Sequence, residues 1–270
     1  MVNEWQPLDP SAAAQLSDAR RQLHHAAQLA TAFGISYLEK QADDSHTNLE
    51  WLESEGALAS HSMNDTRVAI CVHDLAVMTG GRTFGLRGKT MDDGAEWLRE
   101  RLAEAGFDPA KFTLKRHYEI PRHPVASGAK FDAAPSDLQQ LADWYSNAAA
   151  ALEEVRVSHD GTEVMCWPHH FDMATLITVA PGKTVGVGME PGDKYYDEPY
   201  FYINMNPSPS ATELPDPLDG EGQWHTDEWI GAVLPASKFT GDALLQTQQL
   251  DDFLHSAIDV AIRLVRSRQG

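Results

Sequence analysis

Twice along its length this chain passes from a long run of helical periodicity into a group of short extended runs and then back to a helix. That recurrence limits the folds open to it. In the first half, Leu16, Leu23, Ala27 and Ala30 form an apolar stripe over residues 11–33, opened by Pro10 and Ser11 and stopped by Gly34. Residues 57–63, 67–71, 74–78 and 83–89 follow as short strands, with Asn64-Asp65 and Gly80-Gly81 as turn signals. Residues 92–105 return to helical spacing. In the second half, Ser136 and Gln139 suggest a capping box for a helix over 136–153. Strands are expected at 154–159, 163–177, 184–189, 200–206 and 229–234, and a closing helix at 245–265. One further strand is expected at 112–120, in the Pro-rich connection.

The expected fold class is therefore α+β, with an internal duplication of a helix–antiparallel sheet–helix unit and two sheets packed around a shared pocket. The halves would span 1–106 and 136–270, with 107–135 as an irregular, Pro-rich connection, and the whole would form one compact unit.

The stretch richest in chemistry is Cys166-Trp167-Pro168-His169-His170-Phe171-Asp172. On an uninterrupted strand side chains alternate between faces, which would set His170 and Asp172 on one face and His169 and Phe171 on the other. A buried polar group without a partner costs about 1–3 kcal/mol, so such residues are paired, ligated or catalytic. His225, in Gln223-Trp224-His225-Thr226-Asp227, could add a third group, and Glu190 or Asp227 a fourth. A mixed His and carboxylate set made of His170, Asp172, His225 and Glu190 suits Zn, Fe(II) or Mn. The same residues also read as hydrogen-bonded His–Asp pairs without a metal, His170 and His225 serving as bases and Asp172 as the orienting carboxylate. In the aromatic strand 200–206, Tyr200, Tyr202, Asn204 and Asn206 share a face. With His169 and Trp224, Tyr200, Tyr202 and Asn204 are the expected contacts of a small polar ligand. The other reading of that face is a half-exposed strand with its polar residues outward. His24-His25 lies off the first helix's stripe and reads as a solvated pair. Glu39 and Glu50 stand beside aromatics.

A formal charge of −19 argues against nucleic acid and against anionic membrane surfaces as partners. No run of about 18 apolar residues offers a membrane span. Residues 1–9 have neither the basic nor the apolar region of a signal peptide, and the two cysteines, Cys71 and Cys166, make no close-spaced motif. A cytoplasmic protein with reduced core thiols is the expectation. The functional expectation is a small-molecule enzyme, a metal-dependent hydrolase or a non-haem iron enzyme. A non-catalytic small-molecule-binding or interaction module is the alternative.

Several short segments, in order, are similar to a family of uncharacterised bacterial proteins known only as a domain of unknown function. They are Glu119-Ile120-Pro121, Phe171-Asp172-Met173-Ala174, the turn Gly188-Met189-Glu190-Pro191-Gly192, the aromatic strand running into Pro207-Ser208-Pro209, and Leu234-Pro235. In that family small residues stand at the positions of His169 and His170, an aromatic stands at that of Glu190, and His225 has no clear counterpart. The resemblance implies no reaction, cofactor or catalytic residue.

Overall fold

Helix α1 (Ser17–Tyr37) is buried nearly all round rather than along one stripe: Arg20, Gln22, His24, His25, Gln28 and Thr31 lie inside together with Leu23, Ala27 and Ala30. The structure, a computed structural model, describes residues 5–215 and 217–267. The chain divides into two compact units, one made of 16–142 and 165–171, the other of 1–15, 143–164 and 172–270. They are called here the N-terminal and C-terminal units.

The N-terminal unit holds α1, strands β1 (Leu49–Leu52), β2 (Ala57–Ser60), β3 (Val68–Cys71), β4 (Ala76–Thr79) and β5 (Arg82–Gly85), helix α2 (Met91–Glu104), and strand β6 (Met165–Trp167). α2 starts on a capping box: the Asp93 amide donates to Thr90 Oγ1 (3.2 Å) and the Thr90 amide donates to Asp93 Oδ2 (2.8 Å). Helix α3 (Pro135–His159) begins with Pro in the first turn, where the missing N–H leaves no bond unmade, so Ser136 lies inside the helix instead of capping it. Residues 154–159, expected as a strand, continue α3. Val155 follows Leu152 by three residues on the buried side and Val157 faces out, which is helical spacing. The expected strand 112–120 does not form a ladder; Thr113 N–H donates instead to Ser36 Oγ.

The C-terminal unit holds the greater part of α3, strands β7 (Asp172–Ala180), β8 (Lys183–Glu190), β9 (Tyr200–Asn206), β10 (Gln223–His225) and β11 (Gly231–Pro235), and helix α4 (Ala243–Ser267). One face of its strands carries Met173, Ile177, Val185, Val187, Met189, Phe201 and Ile203, all buried. Phe201 there meets Trp144 of α3, with ring centroids 6.0 Å apart. Trp144 in turn stands edge-on to Phe239 at 5.7 Å.

The α+β class holds, but the expected pair of sheets around a shared pocket does not. Among the described residues the named strands follow one antiparallel order, β10-β11-β9-β8-β7-β6-β1-β2-β3-β4-β5, as a single open sheet. Strands β1 to β5 form a meander; in the C-terminal group β7, β8 and β9 follow in order, and the long connection 207–222 carries β10 to the edge so that β11 pairs between it and β9. The edge of β1 is taken by β6, Cys166 pairing with Leu49, which satisfies backbone groups that an edge strand would leave open.

Candidate functional site

The motif 166–172 is not an uninterrupted strand. β6 ends at Trp167, a turn covers 168–171, and β7 starts at Asp172. The Phe171 amide donates to Trp167 O at 2.7 Å, closing the turn, and Phe171 itself takes a left-handed conformation with φ +74°. That residue breaks the expected alternation. His169 and His170 are exposed, their rings 4.4 Å apart, while Phe171 is buried. The turn is anchored from α1: His24 Nε2–H donates to Pro168 O (2.8 Å), as does Gln28 Nε2 (3.1 Å). The His24 ring stacks on Phe171 at 4.7 Å, and Tyr118 O–H donates to Gln28 Oε1 at 2.9 Å. Burial holds His24 at about 3, so its ring is neutral at physiological pH. His25, also buried, bonds Pro121 O. The expected solvated His pair is thus an internal strut of the N-terminal unit.

Asp172 belongs to a different assembly, on the second face of the C-terminal strands. Directly opposite residues of antiparallel strands share a face. Glu190 pairs with Tyr200, Gly188 with Tyr202 and Gly186 with Asn204. The register pairing Met173 with Met189 puts Asp172 opposite Glu190. One row across β7, β8 and β9 is therefore Asp172, Glu190 and Tyr200, all buried. In the next row, Gly188 leaves room for the Tyr202 ring. A Cβ at 188 would stand 2.6 Å from its Cζ and Oη. Lying across that gap, Tyr202 O–H donates to Asp172 Oδ2 at 2.5 Å. Asn204 likewise folds over Gly186 and accepts from its amide at 3.1 Å.

The segment after β8 adds a third carboxylate. Gly192, with φ +116°, turns the chain so that Asp193 Oδ1 accepts from the amides of Tyr195 and Tyr196, and Oδ2 accepts from Tyr200 O–H at 3.1 Å. Burial, then the charges of Glu190 and Asp193, push the Tyr200 phenol well above its ordinary value. Burial and the charge of Asp172 do the same to Tyr202. Both phenols stay protonated and act as donors to carboxylates.

His225, on β10, has both ring nitrogens engaged. Asp227 O can only accept, so Nε2 carries the proton and donates to it (2.6 Å); Nδ1 then accepts from Tyr196 O–H (3.0 Å). The ring stacks on Trp229 at 4.4 Å. The partner within its own motif is thus the main chain of Asp227 rather than its carboxylate. Trp224, adjacent on β10, points to the opposite face and donates to Pro215 O. The expected metal set does not converge. Among the described residues, the three or more potential ligands whose atoms lie within 4.8 Å of one another are Cys71, His73 and Asp74. Glu39 and Glu50 are exposed, and Glu50 pairs with Arg67 at 3.5 Å.

Asp193 and Tyr196 were not among the expected site residues, although Asp193 directly follows the Pro-Gly turn, a position where a carboxylate bonds amides two residues on. Cys71-x-His73-Asp74 was not among the expected site residues either, although its three donor types stand within four positions of the sequence. Comparison with protein-family models, with curated proteins and with solved structures finds no match for this chain. No helix among the described residues is long and apolar enough to cross a membrane.

Proposed function

We propose that the polar face of the C-terminal unit binds a small cationic molecule, an amine or guanidine, with Asp172 as the principal charged contact. The observation that carries this reading is the row of Asp172, Glu190 and Tyr200 on one sheet face, with Tyr202 bonded to Asp172 across Gly188. Carboxylates are acceptor-only when ionised, and phenol rings present negative π-faces to a cation. None of the strand residues on this face, from Asp172 through Asn204 to His225, is Lys or Arg. The net charge of −19 further raises the local concentration of cations. A second reading, acid–base catalysis on such a molecule, is favoured by the 2.5 Å Tyr202–Asp172 bond, which lines up a proton donor with an acceptor.

The test is a thermal-shift series with putrescine, choline and arginine, against NaCl matched in ionic strength and against glycerol. At about a hundredfold excess over Kd a bound ligand adds about 2.7 kcal/mol, several degrees of Tm for a chain of this size. At least one cation should exceed the salt control. Asp172→Asn should remove that shift and His170→Ala should keep it. Shifts no larger than those of NaCl, or a shift that survives Asp172→Asn, would contradict the reading.

A further inference from the structure

Between β3 and β4 the chain reverses in four residues, Val72-His73-Asp74-Leu75, and brings three metal-compatible side chains to one point. We propose that Cys71, His73 and Asp74 form a binding site for a zinc-class divalent cation, held by one sulfur, one imidazole nitrogen and one carboxylate oxygen. This site lies in the N-terminal unit and is independent of the cation-binding face described above.

The distances carry the argument. A tetrahedral ion holds sulfur at about 2.3 Å and nitrogen or oxygen at about 2.0–2.1 Å, which sets S···N and S···O edges of about 3.5–3.6 Å and an N···O edge of about 3.3–3.4 Å. Cys71 Sγ lies 3.5 Å from His73 Nδ1, 3.6 Å from His73 Nε2 and 3.8 Å from Asp74 Oδ2. His73 Nε2 lies 3.4 Å from Asp74 Oδ2. The three donors thus lie within a few tenths of an ångström of the edges a zinc ion needs; because the sulfur is nearly equidistant from both ring nitrogens, the half-exposed His73 ring must turn to aim Nε2 at the ion.

The surrounding chain holds that face in place. Cys71 is fixed in the ladder between Ala57 and Ala76. The Val72 amide donates to Gly56 O, and Gly56, itself at φ +55°, leaves the space that His73 fills: a Cβ there would be 3.1 Å from Nδ1. Leu75 takes φ +49°, a conformation unfavourable for a residue with a Cβ, and the turn it completes folds Asp74 back onto the thiol. Backbone strain of this kind collects at ligand sites, where the arrangement has a use. The sulfur is buried, while the His73 and Asp74 side chains are 40% and 67% exposed, so an ion can enter from solvent and keep a water in its fourth position. Binding exchanges a proton for the ion: the S–H bond breaks, the sulfur lone pair goes to the metal, and the proton leaves to solvent.

Co²⁺ titration of the metal-free protein, prepared without affinity-tag histidines, tests the proposal by absorption. Wild type should bind one equivalent, with a thiolate-to-cobalt charge-transfer band in the near-ultraviolet and strong visible d–d bands, both bleached by Zn²⁺. Cys166→Ser should leave the spectrum intact. Cys71→Ser should abolish the charge-transfer band. His73→Ala, a change at a half-exposed side chain that the fold should tolerate, should weaken binding by at least about tenfold, since even outer-shell losses cost that much. A wild-type spectrum without the charge-transfer band, or a band that persists in Cys71→Ser, would overturn the proposal and leave a hydrogen-bonded Cys–His–Asp turn.

Discussion

Around His24, in the N-terminal unit, imidazole, amide and phenol groups meet main-chain carbonyls and one another as neutral partners. Around Asp172, in the C-terminal unit, Asp172 and Asp193 accept from the phenols of Tyr202 and Tyr200, and Glu190 stands opposite Asp172 and Tyr200 on the sheet face. The first arrangement costs little electrostatically and joins α1 to the turn 168–171. The second sets carboxylates side by side where the local dielectric is low, which disfavours the fold when both are charged; on the reading we propose, a ligand of opposite sign offsets that. Stabilising struts and ligand sites both bury polar groups; what separates them is whether removing the charge harms or helps the folded state.

The largest effect should come from the strut. His24→Ala leaves a cavity beside Phe171 and removes the ring donor to Pro168 O, so we expect a loss of about 3 kcal/mol in urea denaturation. A loss below about 1 kcal/mol would mean that the turn is held by other contacts.

Acid should act on the same residue. The folded ring is held at about 3 against an ordinary 6.5, so between those values the unfolded chain binds the extra proton. The stability linked to His24 is complete above pH 6.5 and is lost progressively as the pH falls toward 3, amounting to about 2 kcal/mol at pH 5. Comparing denaturation of wild type and His24→Gln from pH 7.5 to 5 checks this: the variant's profile should be flatter by about that amount. Parallel profiles would break the assignment.

Gly188→Ala sharpens the other side of the comparison. Its Cβ would meet the Tyr202 ring, displacing the phenol from Asp172 at a cost of about 1–2 kcal/mol. Cation-induced thermal shifts should vanish with it, whereas Gly80→Ala, at a turn with open space around it, should leave them unchanged.

The polar face was largely legible in the sequence and the strut was not. Strand alternation over 200–206 set Tyr200, Tyr202 and Asn204 on one side, and the structure keeps them there. The Pro191-Gly192 turn was equally plain. The same alternation failed at His170 because Phe171 has positive φ, a local event that no apolar pattern announces. Val155 and Val157 invited a strand reading through their β-branched side chains, yet the i, i+3 burial of Leu152 and Val155 belongs to α3. His24 and His25 lie off the apolar stripe, so spacing alone places them in solvent. α1 is instead covered on its polar side too, by partners more than ninety residues distant in the chain. Long-range pairing of that kind leaves no local trace in composition or spacing.

The most direct test of the contrast is the stability of Asp172→Asn by chemical denaturation at pH 7.5. Asn can still accept from Tyr202 O–H while relieving the charge opposed to Glu190. A binding face that carries charge at the expense of the fold predicts a stability gain of about 1 kcal/mol, alongside loss of cation binding. A loss of stability comparable to that of His24→Ala would contradict the account and make Asp172 a second structural strut.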